Sequence, residues 1–205
     1  MTLYPQHPLL HSWINRLRDS SLDPYRFRHG IREVTRLLAY EGLRDAPMES
    51  RSVPTWNGER QYDFLAEEEI VVVSVLRAAL PMHEAVLEEI TGAVSGFLGM
   101  KRDEDTHKSI LYYDRVGDCR GKTVIIVDPM VATGGSLCDA IDVVKIKGAD
   151  RIVSLNVIAS PEGVAAVEAK HPDIILVIGQ LDEGLSDEKF ILPGLGDAGD
   201  RAFNT

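Results

Sequence analysis

Residues 124–137 put an acidic side chain at the tip of an apolar run and follow it with small residues. Val-Ile-Ile-Val leads into Asp128, Pro129, Met130, Val131, Ala132, Thr133, Gly134, Gly135 and Ser136, and then Leu137. That order suits a phosphate cradle. The two glycines let backbone N–H groups close around an anion. Thr133 and Ser136 add hydroxyl donors, and a helix opening near Ser136 adds unpaired amides and the positive end of its dipole. Asp128 at the strand tip is suited to accepting hydrogen bonds from sugar hydroxyls. A P-loop would need a lysine directly after its second glycine, and none stands there.

Three other segments carry candidate chemistry. Arg77, in Val75-Leu76-Arg77-Ala78-Ala79-Leu80-Pro81, follows a β-branched run and is either an anion ligand at a sheet edge or a snorkelling surface residue. Lys101 and Arg102 end another strand and precede Asp103-Glu104-Asp105-Thr106, a polar run expected to be a mobile arm. Near the C-terminus, residues 190–201 (FILPGLGDAGDR) contain GLGDAG, which formally matches the dinucleotide fingerprint GxGxxG. The match lacks the helix, second strand and ribose-binding acid that the fingerprint needs, so an NAD-linked oxidoreductase is rejected. A Gly- and Pro-rich loop can instead bring main-chain N–H and C=O groups against the edge of a flat ligand.

The elements that must position these residues follow from periodicity. Strands are predicted at 70–75, 92–99, 123–127, 152–158 and 174–178, and helices at 81–90, 136–147 and 161–170. Alternation of this kind implies an α/β fold with a mostly parallel, doubly wound sheet. Apolar residues at 27, 31, 34 and 38 predict a helix over 25–44, entered through Asp23-Pro24. Pro54 and Asn57-Gly58 mark 51–61 as an extended arm or hairpin. Pro8 separates His7 from His11, and the segment around them is expected to be solvated rather than a metal site. The division expected is one domain over 1–205: N-terminal helices and arm to 69, an α/β core over 70–180, and a C-terminal loop from 181.

Composition narrows the function classes. The chain has 205 residues, 44% hydrophobic and 26% charged, which is ordinary for a globular protein. A net charge of −10 argues against nucleic-acid binding, and no apolar run is long enough for a membrane span. Two cysteines without a CxxC pattern, and no basic, apolar leader, fit a reducing cytoplasm.

The string DPMVATGGS, residues 128–136, closely resembles the PRPP-binding motif of the uracil phosphoribosyltransferases, whose usual form is DPMLATGGS. The resemblance runs from Tyr25-Arg26-Phe27-Arg28 to the C-terminus. It implies a type I phosphoribosyltransferase fold and transfer of ribose 5-phosphate from PRPP to uracil, with Mg²⁺ bound through PRPP rather than by direct protein ligands. It implies that Arg77, Arg102, Asp128 and the loop through Ser136 bind PRPP, with Asp197 beside it. Ile191, Gly196, Asp197 and Ala198 contact uracil in a C-terminal hood, and Arg77, Arg102, Asp128 and Asp197 form the catalytic set. It also implies a homodimer or higher homo-oligomer using the N-terminal arm, and admits GTP as an activator. Ala79, Pro81, Lys101 and Phe190 depart from the usual Gly, Gly, Tyr and Tyr of the family. If the first glycine serves a positive φ, Ala79 is strained. The departures at Ala79, Pro81 and Phe190 motivate a rival reading as a catalytically weak sensor of PRPP or nucleotides. A purine-directed relative of the same fold is a further alternative.

Overall fold

Continuous β-branched runs buried on both faces make the sheet, and the helices between them supply its two covers. In this computed structural model, which describes residues 1–102 and 109–205, β1 (Thr2–Leu3) precedes α1 (Pro8–Leu17) and α2 (Pro24–Gly42). The hairpin β2 (Met48–Thr55) and β3 (Gly58–Leu65) follows. Next come β4 (Ile70–Leu76), α3 (Leu80–Glu89), β5 (Val94–Arg102) and β6 (Ser109–Asp114). The second half runs β7 (Thr123–Val127), β8 (Met130–Val131), α4 (Gly135–Ile146), β9 (Arg151–Ala159), α5 (Pro161–Lys170) and β10 (Ile175–Leu181). The C-terminal part is β11 (Gly184–Leu185), β12 (Ile191–Leu192) and α6 (Ala198–Phe203). The expected polar run 103–106 lies outside the described residues, as do the side chains of Lys101 and Arg102.

The sheet order is β1-β10-β9-β7-β4-β5-β6, with β8 paired to β9. All pairs are parallel except β5 with β6. From β4 the chain winds outward to β5, whereas β7 winds the other way to β9, so the switch point lies between the carboxyl ends of β4 and β7. Ligands bind at such a crevice in open α/β sheets. One apolar cluster joins Phe27, Ile31, Leu38, Met82 and Val86 of the helices to Val72 and Ile125 on one face. Another joins Leu137, Ile141, Val144 and Val167 to Val73 and Ile126 on the other.

The predicted core elements form within a few residues of their expected bounds. The N-terminus does not stay solvated as expected. Pro8 opens α1 instead of breaking it, because a proline at the first helical position lacks only an N–H that would be unpaired anyway. His7 caps that helix, its Nδ1 accepting from the N–H of Leu9 at 3.2 Å, and Leu10, Ile14 and Leu17 bury one face. β1 then adds a parallel strand to the main sheet, so the N-terminal segment is not confined to helices and arm. A second correction concerns GLGDAG, which does run into a helix, because Asp197 caps α6 from inside the motif. The strand before it, β12, pairs antiparallel with β11 in a two-stranded sheet among the described residues, which is not the parallel strand that the dinucleotide geometry needs.

Candidate active site

β7 ends at Val127, and the chain turns over the end of the sheet through Asp128 and Pro129. β9 holds that turn: Asn156 Nδ2 donates to the Asp128 carbonyl at 2.7 Å, and the N–H groups of Val157 and Ile158 both reach the Pro129 carbonyl at 3.1 Å. Ser154 Oγ donates to Asn156 Oδ1 at 2.9 Å, so the buried amide is oriented in turn. Past β8, the N–H of Ser160 donates to the Val131 carbonyl at 3.0 Å and its hydroxyl to that of Ala132 at 2.6 Å. Ser160 Oγ also accepts from the N–H of Gly163 at 2.9 Å, capping α5, so one buried serine fixes both loop and helix.

Close approach then sets the residue type at two positions. Gly134 caps α4 at φ +78°, and a Cβ there would stand 2.7 Å from the Gly163 carbonyl. A Cβ on Gly163 would stand 2.7 Å from the Val131 carbonyl and strike that of Ala132. Two helix N-termini and the loop therefore meet backbone to backbone. The first turn of α4 faces a cavity of about 230 Å³ lined by Asp128, Met130, Val131, Ala132, Thr133, Gly134, Gly135 and Ser136, with Leu76, Ala78 and Met100 opposite. First-turn amides have no partner within their own helix, so the cavity presents free N–H donors of the kind an anion accepts from.

A second cavity, of about 370 Å³, shares Ala78, Asp128, Met130 and Ala132 with the first. Pro129, Phe190, Ile191, Gly196, Asp197 and Ala198 complete much of its wall. Ile191 is buried, whereas Phe190 stands half exposed at the rim. Asp197 Oδ1 accepts from the N–H of Asp200 at 2.9 Å, so this carboxylate caps α6 while lining the cavity.

The walls of the second cavity are held from a distance. Arg18, at the end of α1, makes a two-pronged pair with buried Asp182 at 2.6 and 2.9 Å and donates to the Gly194 carbonyl at 2.8 Å. Asp182 accepts from the N–H of Gly194 at 2.9 Å. Arg201 donates to the carbonyls of Leu17, Asp19 and Leu195 and lies 4.2 Å above the Phe27 ring. Arg28 donates to the Ala202 carbonyl at 2.6 Å. Sequence reasoning found none of these residues. Ser160 and Gly163 carried a local signal, the helix start Ser-Pro-Glu-Gly, but the arginines carried none.

Asp128 joins the two cavities. Its carboxyl keeps part of its surface open to them but is otherwise enclosed, and burial pushes its pKa up to about 7. The N–H of Met130, 3.4 Å from Oδ1, pulls weakly the other way.

Arg77 lines neither cavity, although its neighbours Leu76 and Ala78 do. Its guanidinium is exposed, 3.7 Å from Asp200 Oδ1 and 3.4 Å from Thr205 Oγ1. Ala79 has φ −80°, an ordinary right-handed value, so the expected strain is absent and that ground for a sensing role goes with it. Arg102 ends β5, and Met100, two residues earlier, lines the first cavity. Among the described residues no group of three His, Cys, Asp or Glu could hold a metal ion.

Known proteins share this fold. A solved protein from Aquifex aeolicus superposes with a TM-score of 0.96 at 39% identity, covering 99% of this chain and 98% of that one. A hypoxanthine-guanine phosphoribosyltransferase from Bacillus anthracis shares the fold at a TM-score of 0.53 and 19% identity, over 78% of this chain and 80% of its own. A uracil phosphoribosyltransferase from Aquifex aeolicus is 40% identical over 197 residues, which is 96% of this chain and 95% of that relative. The family profile described as Uracil phosphoribosyltransferase matches residues 4–205, and by that match and that relative the chain belongs to the uracil phosphoribosyltransferase family.

Proposed function

We propose that this chain joins uracil to the ribose 5-phosphate of PRPP, forming UMP and pyrophosphate. The observation that carries the reading is the pair of cavities meeting at Asp128: a glycine-rich helix start on one side and a pocket lined by Ile191 and residues 196–199 on the other. The 5-phosphate sits on the amides and hydroxyls of residues 132–136, and the ribose hydroxyls donate to Asp128. Uracil sits between Ile191 and residues 196–198, its edge read by main-chain groups. N1 of uracil bonds to the anomeric carbon as the bond to pyrophosphate breaks, and the N1 proton leaves to solvent or to a nearby carboxylate. Asp197 orients the base side of the site. Arg77 and Arg102 take up the negative charge on the leaving group, so catalysis is positioning plus electrostatics.

Mg²⁺ enters this proposal with PRPP, whose diphosphate oxygens would hold it. A second copy of the chain is proposed to cover the β2–β3 hairpin, which among the described residues pairs only with itself and leaves Met48, Trp56 and Tyr62 exposed. GTP activation and a cytoplasmic setting belong to the same proposal. No helix of the described residues is long and apolar enough to cross a membrane.

The test is conversion of radiolabelled uracil by the purified protein with PRPP and Mg²⁺, beside cytosine, hypoxanthine and adenine, with and without GTP. UMP from uracil alone is expected. Product from hypoxanthine would reassign the base pocket, and no product from any base would sink the reading.

A further inference from the structure

One buried histidine lies behind the site and is used by nothing described so far. On the face of β4 that packs under the helices, Ile70 and Val72 are buried and apolar, but the next inward position is Ser74, also fully buried. A buried hydroxyl needs a partner, and Ser74 Oγ lies 2.5 Å from His83 Nδ1 in the first turn of α3. The other ring nitrogen, Nε2, lies 3.0 Å from Ser95 Oγ on β5, and the ring stacks on Phe97 with centroids 4.6 Å apart. The backbone N–H of His83 donates to the Ala79 carbonyl at 2.9 Å. Burial pushes the imidazole pKa down, with the neighbouring carboxylate of Glu84 opposing weakly, so the ring is held neutral with one donor and one acceptor.

These bonds bracket the turn that carries Arg77. Ser74 stands three residues before it and Ala79 two residues after it, and Ser95 belongs to the strand that ends at Arg102. We infer that His83 is a positioning residue for PRPP: its ring ties the strand entering the Arg77 turn and the adjacent strand β5 to the helix that leaves the turn. Leu76 and Ala78, between the two tied points, form the wall of the phosphate cavity opposite the glycine loop. Without the ties that wall can shift while α3 stays packed through Met82 and Val86. The inference rests on the proposed reaction, in that PRPP is the ligand whose binding it tunes.

The test compares His83→Leu, which keeps the apolar packing and removes both side-chain bonds, with Val86→Ala, which damages the same core one turn along. His83→Leu is expected to raise the KM for PRPP about tenfold, the loss of roughly one net hydrogen bond of positioning, and to move the KM for uracil by less than about twofold. His83→Gln, which can still donate and accept, is expected to recover part of that rise. Val86→Ala is expected to lower thermal stability and leave the KM for PRPP in place. Equal KM shifts in His83→Leu and Val86→Ala, or none in either, would overturn the inference. If His83→Leu does not fold, Ser74→Ala and Ser95→Ala each remove one tie and are read in the same way. A wild-type protein that binds PRPP by calorimetry but turns over no base would refute the proposed reaction alone. In that case PRPP affinity in the same variants still decides the role of His83.

Discussion

The loop of residues 128–136 is braced by Asn156 and Ser160, each 28 positions further along the chain from the group it holds. The loop of residues 190–198 and the helix after it are braced by Arg18 and Arg28, which stand 176 and 174 positions before the carbonyls they hold. Arg201 adds a bond across 184 positions. The first loop is thus a product of one strand-helix-strand unit, with its supports delivered by the next strand and the next helix. The second depends on the first two helices of the chain finding its last one. The two cavities touch, but they rest on different foundations, and damage to one foundation should be separable from damage to the other.

The largest separation should come from Gly163→Ala. The added methyl would strike the Ala132 carbonyl and approach that of Val131 to 2.7 Å, so α5 or the phosphate loop has to move. Displacing a positioned loop by about 1 Å is enough to cost about 10²-fold in turnover. Steady-state kinetics should show the loss in kcat/KM for PRPP, while binding of uracil analogues to the free protein falls much less. A mutant whose PRPP kinetics match the wild type would show that the loop is not supported from α5.

This difference in bracing also explains which parts are legible in the sequence. The Asp128–Ser136 string is contiguous and needs only its flanking strand and helix, both marked by composition, so the cradle can be recognised from its own residues. The β-branched runs mark the parallel strands for the same reason: each pattern is local. What stays hidden is everything that depends on distant partners. Nothing near Arg18 says that its carboxylate is Asp182, and nothing near Arg201 points to the carbonyls of Leu17 and Asp19. α1 is masked by a proline that reads as a breaker, although its position makes it a helix start. Arg77 is the converse case: its place in the chain marks it as an anion ligand, while in this structure its exposed side chain lies 3.7 Å from Asp200.

Arg18→Met attacks the second foundation. Asp182 has 1% of its side chain exposed and would keep only the N–H of Gly194 as a close partner. An uncompensated buried carboxylate costs about 3 kcal/mol, taken at the lower end because Arg18 itself is partly exposed. Thermal denaturation should show the loss, and the KM for uracil should rise more than the KM for PRPP. Equal rises would mean that the two cavities share a foundation after all.

Asp128 is the one ionisable residue among the four that the cavities share, and it can be tested through pH. Burial pushes its carboxyl pKa up to about 7 in the folded protein, above the value of an unfolded aspartate. The stability tied to its protonated form is therefore fully present below about pH 4 and is lost as pH rises through about 7. Asp128→Asn has no such charge to bury. Its stability relative to the wild type should grow by about 2 kcal/mol between about pH 4 and pH 8, a figure reduced from the full shift because the side chain opens onto the cavities. Denaturant midpoints across that range measure it, and a flat difference would mean that Asp128 is ionised in the free protein at neutral pH.

The smallest expected effect concerns a surface contact between Arg77 and the C-terminal helix. Arg77 Nη2 lies 3.7 Å from Asp200 Oδ1, and Thr205 Oγ1 bridges them, accepting from Arg77 at 3.4 Å and donating to Asp200 at 3.1 Å. Both side chains are more than half exposed, and exposed pairs of this kind are worth less than about 1 kcal/mol. If Arg77 must leave Asp200 to meet the pyrophosphate, Asp200→Asn removes a small competing interaction and should lower the KM for PRPP by less than about fivefold. A rise of similar size would reverse the assignment. Asp200 would then aim the guanidinium rather than hold it away, and the base-side helix would take a direct part in binding the leaving group.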